Sequence, residues 1–146
     1  MGHGLVTETR MIIADPQALF DIVADPAMHP VIDGSGTVRA ARPGNPERLS
    51  LGAKFSMDMQ LGASYRILNT VVEFEEGRRI AWRHFNGHVW RYVFEPVDGG
   101  TLVTEQWDPT HATSQLALRL SGFPARNRRA MRHTLERLEE VATTGH

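Results

Sequence analysis

A chain of 146 residues is long enough for one domain with a real core and too short for two independent ones, so residues 1–146 read as a single domain. Sixteen Lys plus Arg against seventeen Asp plus Glu leave a formal charge of −1, and nothing electrostatic recommends nucleic acid or an anionic membrane as the principal partner. The lack of cysteine excludes disulfides, thiolate metal sites and cysteine nucleophiles, and fits a reducing cytoplasm.

The opening residues Met1-Gly2-His3-Gly4-Leu5 lack a charged segment followed by a continuous apolar run. No stretch approaches the roughly eighteen apolar residues that cross a bilayer, so a cytoplasmic protein without stable membrane insertion is expected. Residues 5–13 are β-branched and threonine-rich and read as a strand, which stops at Asp15-Pro16, where Asp suits a helix cap and Pro its first turn. Leu19, Phe20 and Val23 then share one helical face. Asp25-Pro26 repeats the same grammar and starts a second, shorter helix through Met28 and His29, which predicts two brief helices in a V.

From Gly36 the pattern turns to β. Residues 37–42 form a short strand broken by Pro43-Gly44-Asn45-Pro46. Over residues 53–61, Phe55, Met57, Met59 and Leu61 alternate with Lys54, Ser56, Asp58 and Gln60. Residues 65–74 make a longer strand, and Glu75-Glu76-Gly77 turns it into a strand over 78–85. Asn86-Gly87 gives the next turn, 88–95 the next strand and 101–107 the last. Helical periodicity returns after Thr113, where Leu116, Leu120, Met131, Leu135, Leu138 and Val141 line one side of a C-terminal region interrupted or kinked near Gly122-Phe123-Pro124. Arg126, Arg128, Arg129 and Arg132 crowd the start of that helix, and a solvated face explains them more simply than a phosphate site.

The two hairpins between Arg78 and Asp108 carry the most information. A tight turn at Asp98-Gly99, the favoured pairing, sets Phe94 opposite Val103, Tyr92 opposite Glu105 and Trp90 opposite Trp107; a turn at Gly99-Gly100 changes the partners but keeps the same faces together, so a single carboxylate stands in an aromatic row under either register. A face this aromatic must be covered, and the C-terminal helix is the natural cover. Two readings of Glu105 stay open. It pairs with a nearby Arg, Tyr or Trp donor and only fixes the sheet, or it is a polar anchor or acid/base with a raised pKa on the wall of an apolar cavity.

Polar candidates are otherwise sparse: Tyr92, His84, His29, Asp33, Asn69 and Arg66. His84 and His88 face each other if their hairpin carries a three-residue loop, whereas a tight Asn86-Gly87 turn sends them to opposite faces. No third ligand has convincing spacing, so neither a metal nor a cofactor is expected. His29 and Asp33 flank the second helix, either gating a ligand or capping helix and loop. The glycines sit at hairpin turns, and neither a nucleophile elbow nor a phosphate-binding loop is present.

Strand, two short helices, six antiparallel strands and a long terminal helix is an α+β order that matches the helix-grip fold, a curved seven-stranded sheet wrapped around the last helix. On Asp15-Pro16, Asp25-Pro26 with His29-Pro30, Leu51-Gly52-Ala53-Lys54-Phe55, Val72-Glu73-Phe74, Arg78-Arg79-Ile80-Ala81-Trp82, Trp90-Arg91-Tyr92-Val93-Phe94-Glu95-Pro96 and Gly99-Gly100-Thr101-Leu102-Val103-Thr104-Glu105, nearly the whole chain resembles the SRPBCC, or START-like, superfamily. That superfamily groups START lipid-transfer domains, birch-pollen-allergen-like proteins and bacterial polyketide cyclase/dehydrase-like proteins. The resemblance implies a deep apolar cavity between sheet and C-terminal helix that holds a lipid- or polyketide-like molecule, and no shared catalytic residue set.

The cavity face is then expected to carry Phe55, Met57, Met59, Trp82, Trp90, Tyr92, Phe94, Val103 and Trp107, with Leu116, Leu120, Met131 and Leu135 from the helix. Ordinary core packing is the alternative for each. Three functional classes follow. A carrier of a hydrophobic small molecule needs a connected apolar pocket with one or two polar groups. A cofactor-independent cyclase or dehydratase needs converging acid/base groups, for which Glu105, Tyr92 and His84 are the candidates, Glu105 abstracting a proton beside a carbonyl. A protein-interaction module needs a filled core and an exposed apolar patch. Oligomeric state is left open, with a homodimer among the options.

Overall fold

The computed structural model describes residues 5–84, 87–109 and 123–144, and the side chains of all of these except Leu61 and Phe123. In chain order the elements are β1 (Val6–Ile12), α1 (Pro16–Val23), a 3-10 turn (Pro26–Met28), α2 (His29–Ile32), β2 (Val38–Ala41), β3 (Lys54–Leu61), β4 (Ala63–Glu75), β5 (Arg79–His84), β6 (Val89–Val97), β7 (Gly100–Asp108) and α3 (Phe123–Thr144). Every strand pairs antiparallel, in the spatial order β1-β7-β6-β5-β4-β3-β2. Sequence neighbours from β2 to β7 are therefore spatial neighbours, and only β1 reaches across the chain, to β7. This is the α+β helix-grip arrangement. No helix among the described residues is long and apolar enough to cross a membrane.

Local chemistry explains the elements. Extended Asp15 precedes Pro16 at the head of α1, and Asp25 accepts a hydrogen bond from Ala27 N–H at 3.0 Å to start the 3-10 turn. The second expected helix is thus split into a 3-10 turn and the single turn of α2. The β6–β7 turn is Asp98-Gly99, with Gly99 at φ +85°, a conformation only glycine adopts cheaply. It gives the expected register, with Trp90 opposite Trp107, Tyr92 opposite Glu105 and Phe94 opposite Val103. Between Val71 and Glu73 the β4–β5 ladder shifts by one residue, and such a bulge bends and twists the sheet locally.

The concave face is closed in two halves. At one end α1 plugs it: Leu19, Phe20 and Val23 are fully buried, and the Phe20 ring sits edge-on to Phe94 at 5.8 Å and to Phe74 at 5.4 Å. The other end lies under α3, which packs against β1, β7, α1 and α2. Leu135 and Leu138 enter the main core, while Met131 joins Val6 and Trp107 in a smaller cluster. Polar contacts fix the helix to the β1 edge. Arg128 and Arg132 both donate to Glu8, at 2.7 and 3.1 Å, and Arg10 donates to Glu139 at 2.7 Å. Two of the four clustered arginines are therefore partners of β1 rather than a solvated face alone.

The loop after α2 comes closest to α3 at Gly34, whose N–H donates to Thr134 Oγ1 at 2.9 Å. A Cβ there would stand 2.5 Å from each of Ala130 O, His133 Cβ and Thr134 N, two of them backbone atoms that cannot swing away. Gly34→Ala is therefore expected to push the loop off the helix and destabilise the fold by about 1–3 kcal/mol, the usual range for overpacking. Urea denaturation would measure this, and an unchanged midpoint would show that the loop does not lie this close to α3.

Candidate functional site

Between the open half of the concave face, α2 and α3 lies a cavity of about 420 Å³. The strand side is built by period-two alternation, which sends Met57 and Met59 of β3, Ile67 and Asn69 of β4, and Trp82 of β5 to the same face. The next strands add Trp90, Tyr92, Glu105 and Trp107. From α3 come Asn127, Ala130, Met131 and Thr134, spaced so that one helical face looks onto the sheet. Arg126 and Asp33 also line it, as do His84 and His88.

Glu105 is the centre of the polar chemistry. Its side chain is buried, with 2% exposure, and Tyr92 OH donates to its Oε2 at 3.0 Å. Its Oε1 is out of solvent and has no hydrogen-bond partner among the described residues. Burial raises its pKa to about 8; the Tyr92 hydrogen bond works the other way, and Asp33 and Glu8 add to the rise. Burial, with Glu105 beside it, also holds the Tyr92 phenol well above its ordinary value. At neutral pH this pair is a carboxylic acid and a phenol. Both readings of Glu105 thus hold an element of the geometry, one oxygen paired to a tyrosine and the other turned loose in an apolar wall.

Two further buried polar atoms share the cavity without partners among the described residues, Asn69 Oδ1 and His88 Nε2. His88 Nδ1 accepts a hydrogen bond from Trp107 Nε1 at 3.0 Å. Burial, with His84 next to it, lowers His88 to about 3, so it is uncharged. The β5–β6 hairpin is the wider of the two loops considered, closing through His84 N–H to His88 O at 2.8 Å, and the two imidazoles face each other at 4.5 Å between ring centres. Among the described residues no cluster of three or more His, Asp or Glu side chains is placed to hold a metal ion.

His29 and Asp33 are engaged elsewhere. His29 Nε2 donates to Val23 O at 2.8 Å, its ring stacks on Trp82 at 4.9 Å, and burial lowers its pKa. Asp33 accepts from the backbone N–H groups of Ser35, Gly36 and Val38 and shapes the loop that enters β2. Arg66 is exposed and stands outside the cavity.

Of the side chains expected on the cavity wall, Met57, Met59, Trp82, Trp90, Tyr92, Trp107 and Met131 line it, together with Glu105 and His84. Phe55, Phe94, Val103 and Leu135 do not, which corrects the expectation for these four. They are buried in the main core, because α1 fills the end of the face where Phe94 and Val103 lie, while Phe55 is covered by His29 and Trp82. Leu116 and Leu120, and the kink expected near Gly122, lie outside the described residues. Ile32, Ala130 and Thr134 line the cavity as well, as does His88, which the sequence pattern offers only as a facing partner of His84. One signal was present: Ala130 and Thr134 are small residues one helical turn apart, beside the larger Met131 and Leu135, and small residues on a core-facing stripe leave room.

Comparison with known proteins agrees with this architecture. The family model described as polyketide cyclase / dehydrase and lipid transport matches residues 3–143. The uncharacterized protein Rv0088 of Mycobacterium tuberculosis is 36% identical over 154 aligned residues, which take in 99% of this chain and 66% of that protein, so the chain spans just under two thirds of the curated relatives it matches. Among solved structures, the AHSA1-like protein of Aeromonas hydrophila superposes with a TM-score of 0.67 at 18% identity, covering 97% of this chain and 94% of its own. Protein Ms6760 of Mycobacterium smegmatis gives 0.71 at 20% identity, covering 97% and 92%. At these identities the structural likeness speaks to the fold alone. The match over nearly the whole length decides the family: this chain belongs to the polyketide cyclase/dehydrase and lipid transport family.

Proposed function

We propose that this domain binds a hydrophobic small molecule in the cavity between the sheet and α3. Family membership supports a ligand-binding role in general. The observation that carries the reading here is the combination of about 420 Å³ of space with three buried polar atoms, on Asn69, His88 and Glu105, that have no hydrogen-bond partner among the described residues. Buried polar groups are nearly always paired, because each one left alone costs its desolvation without return. A guest that fills the apolar volume and meets these atoms would recover that cost. The open interior also counts against the protein-interaction reading, which needs the space filled.

A cyclase or dehydratase is the second reading, favoured by one observation. Glu105, with a pKa near 8, sits in the range where a carboxyl both gives and takes a proton close to neutrality. In that reading Glu105 handles the proton beside a substrate carbonyl. Tyr92 acts as a positioning residue, since its O–H is already directed at Glu105. Replacing Glu105 by Gln keeps the shape and removes the acid, so unchanged turnover of a true substrate by that variant would end the enzymatic reading for Glu105.

The binding reading is checked by thermal shift against uncharged apolar compounds, with mass spectrometry of whatever copurifies. At least one compound class is expected to raise the midpoint, and Ala130→Phe, which places a ring in the cavity, to weaken its binding by about tenfold or more while the domain stays folded. A library without any stabilising compound, together with an empty copurification, would defeat the proposal.

Glu105 also gives a pH signature. The folded protein holds its proton up to about pH 8, whereas the ordinary glutamate value is 4.5. Between those values the folded state binds more protons than the unfolded chain, so stability falls as pH rises through this window. The loss approaches a limit on the order of 5 kcal/mol above pH 8. Glu105→Gln should flatten that slope, giving a variant that gains on the parent protein as pH rises from about 5 to 8. Parallel urea titrations across the range would show it, and identical slopes would mean that Glu105 ionises normally.

A further inference from the structure

The indole of Trp107 fixes the state of the imidazole beside it. An indole N–H can only donate. Because Trp107 Nε1 donates to His88 Nδ1 at 3.0 Å, Nδ1 is the bare nitrogen and a neutral His88 must carry its proton on Nε2. His84 faces the ring from β5 at 4.5 Å, and burial keeps His88 uncharged, so the second nitrogen does not gain a proton at neutral pH. The result is a buried N–H donor of fixed direction, on a residue that lines the cavity and without an acceptor among the described residues.

We propose that His88 is the specificity-determining donor of the cavity, and that its Nε2–H selects a ligand bearing an uncharged acceptor oxygen, such as a ketone, over a hydrocarbon or an ammonium of the same shape. This rests on the ligand-binding reading above and adds what the ligand must present. A hydrocarbon leaves the N–H stranded. An ammonium brings more donors to a donor, and among the described carboxyl groups of the lining Glu105 is a neutral acid while the Asp33 carboxylate already accepts from three backbone N–H groups. A site built around a hydrogen bond discriminates strongly against the analogue that lacks its partner, because the buried group of the protein is then unpaired. Trp90, whose ring lies 6.5 Å from His88, and Trp107 add aromatic surface to the same part of the lining.

The test uses three probes on one skeleton: acetylnaphthalene, ethylnaphthalene and naphthyl-ethylammonium, titrated at neutral pH by tryptophan fluorescence with calorimetry. The ketone is expected to bind about tenfold more tightly than the other two, and His88→Phe to bring the ketone-to-hydrocarbon ratio to about one while hydrocarbon binding persists. Since His88→Phe also leaves the Trp107 N–H without its acceptor, a second measurement needs no variant. In protein with nitrogen-15 histidine, the Nε2–H proton of His88 should move downfield with the ketone and not with the hydrocarbon.

Equal binding of ketone and hydrocarbon, a ratio preserved in His88→Phe, or an unmoved Nε2–H proton would each overturn the assignment. Tightest binding by the ammonium would also overturn it, and would identify Glu105 as a counter-ion. If none of the three probes binds, the assignment falls, an outcome distinct from binding without preference, and the ligand-binding reading falls with it when the compound library and the copurification are empty too.

Discussion

The candidate site depends on how α3 is laid: among the described residues it rests on the sheet along one edge and on the short helices at one end, with the cavity between it and the middle of the concave face. Its contacts run to β1, β7, α1 and α2, whereas the aromatic row on β5 and β6 lies beneath the gap. The anchors explain how such a span holds. Leu135 and Leu138 are sunk in the core at one end, Met131 packs against Val6 and Trp107, and Glu8 and Arg10 of β1 each hold a charged partner on the helix. Half-exposed ion pairs contribute little energy singly, so apolar burial supplies the stability and the ion pairs set where the helix lies. Curvature does the rest. The bulge between Val71 and Glu73 helps bend the sheet.

Two glutamates show how that covering layer assigns chemistry. Glu8 and Glu105 are directly paired across the β1–β7 ladder and point to the same face. Glu8 lies at the edge where Arg128 and Arg132 descend, and accepts from both. Glu105, one strand further in, receives among the described residues only the phenol of Tyr92. An identical side chain is thus an ion-pair partner at one position and a protonated acid at the next. The difference arises from which strand the helix happens to cover, and the desolvation of Glu105 follows from that geometry.

Much of this was legible in the sequence, and the limit has a physical cause. The Asp98-Gly99 turn fixes a register, and with it the Tyr92–Glu105 and Trp90–Trp107 pairs, because turn geometry and period-two alternation are local. Alternation tells which face a side chain occupies but not how far along the strand the covering helix reaches. For that reason Phe94 and Val103 were grouped with Trp90 and Trp107, although α1 packs over the first two and leaves the others open. Phe55 failed for a similar reason, since its cover, His29, comes from a one-turn helix whose placement no pattern encodes. His88 was harder still. Its state depends on Trp107, nineteen residues away on the paired strand β7.

The composition of the wall bears on why the cavity stays open. His29 stacks on Trp82, Trp82 lies 5.7 Å from Tyr92, and Tyr92 stacks on Phe94 at 6.4 Å, so an unbroken run of rings extends from the α2 layer into the packed core. A second run links His84, His88, Trp107 and Trp90. Rings in mutual contact have few torsions to adjust, and moving one inward would break its contacts with the next. Against this stiff side stand Met57, Met59 and Met131, whose unbranched chains reshape at small cost. Under the proposed binding function, aromatic surfaces that hold the polar atoms in place, beside methionines that adapt their shape, would make the site specific in its hydrogen bonds and permissive in apolar shape.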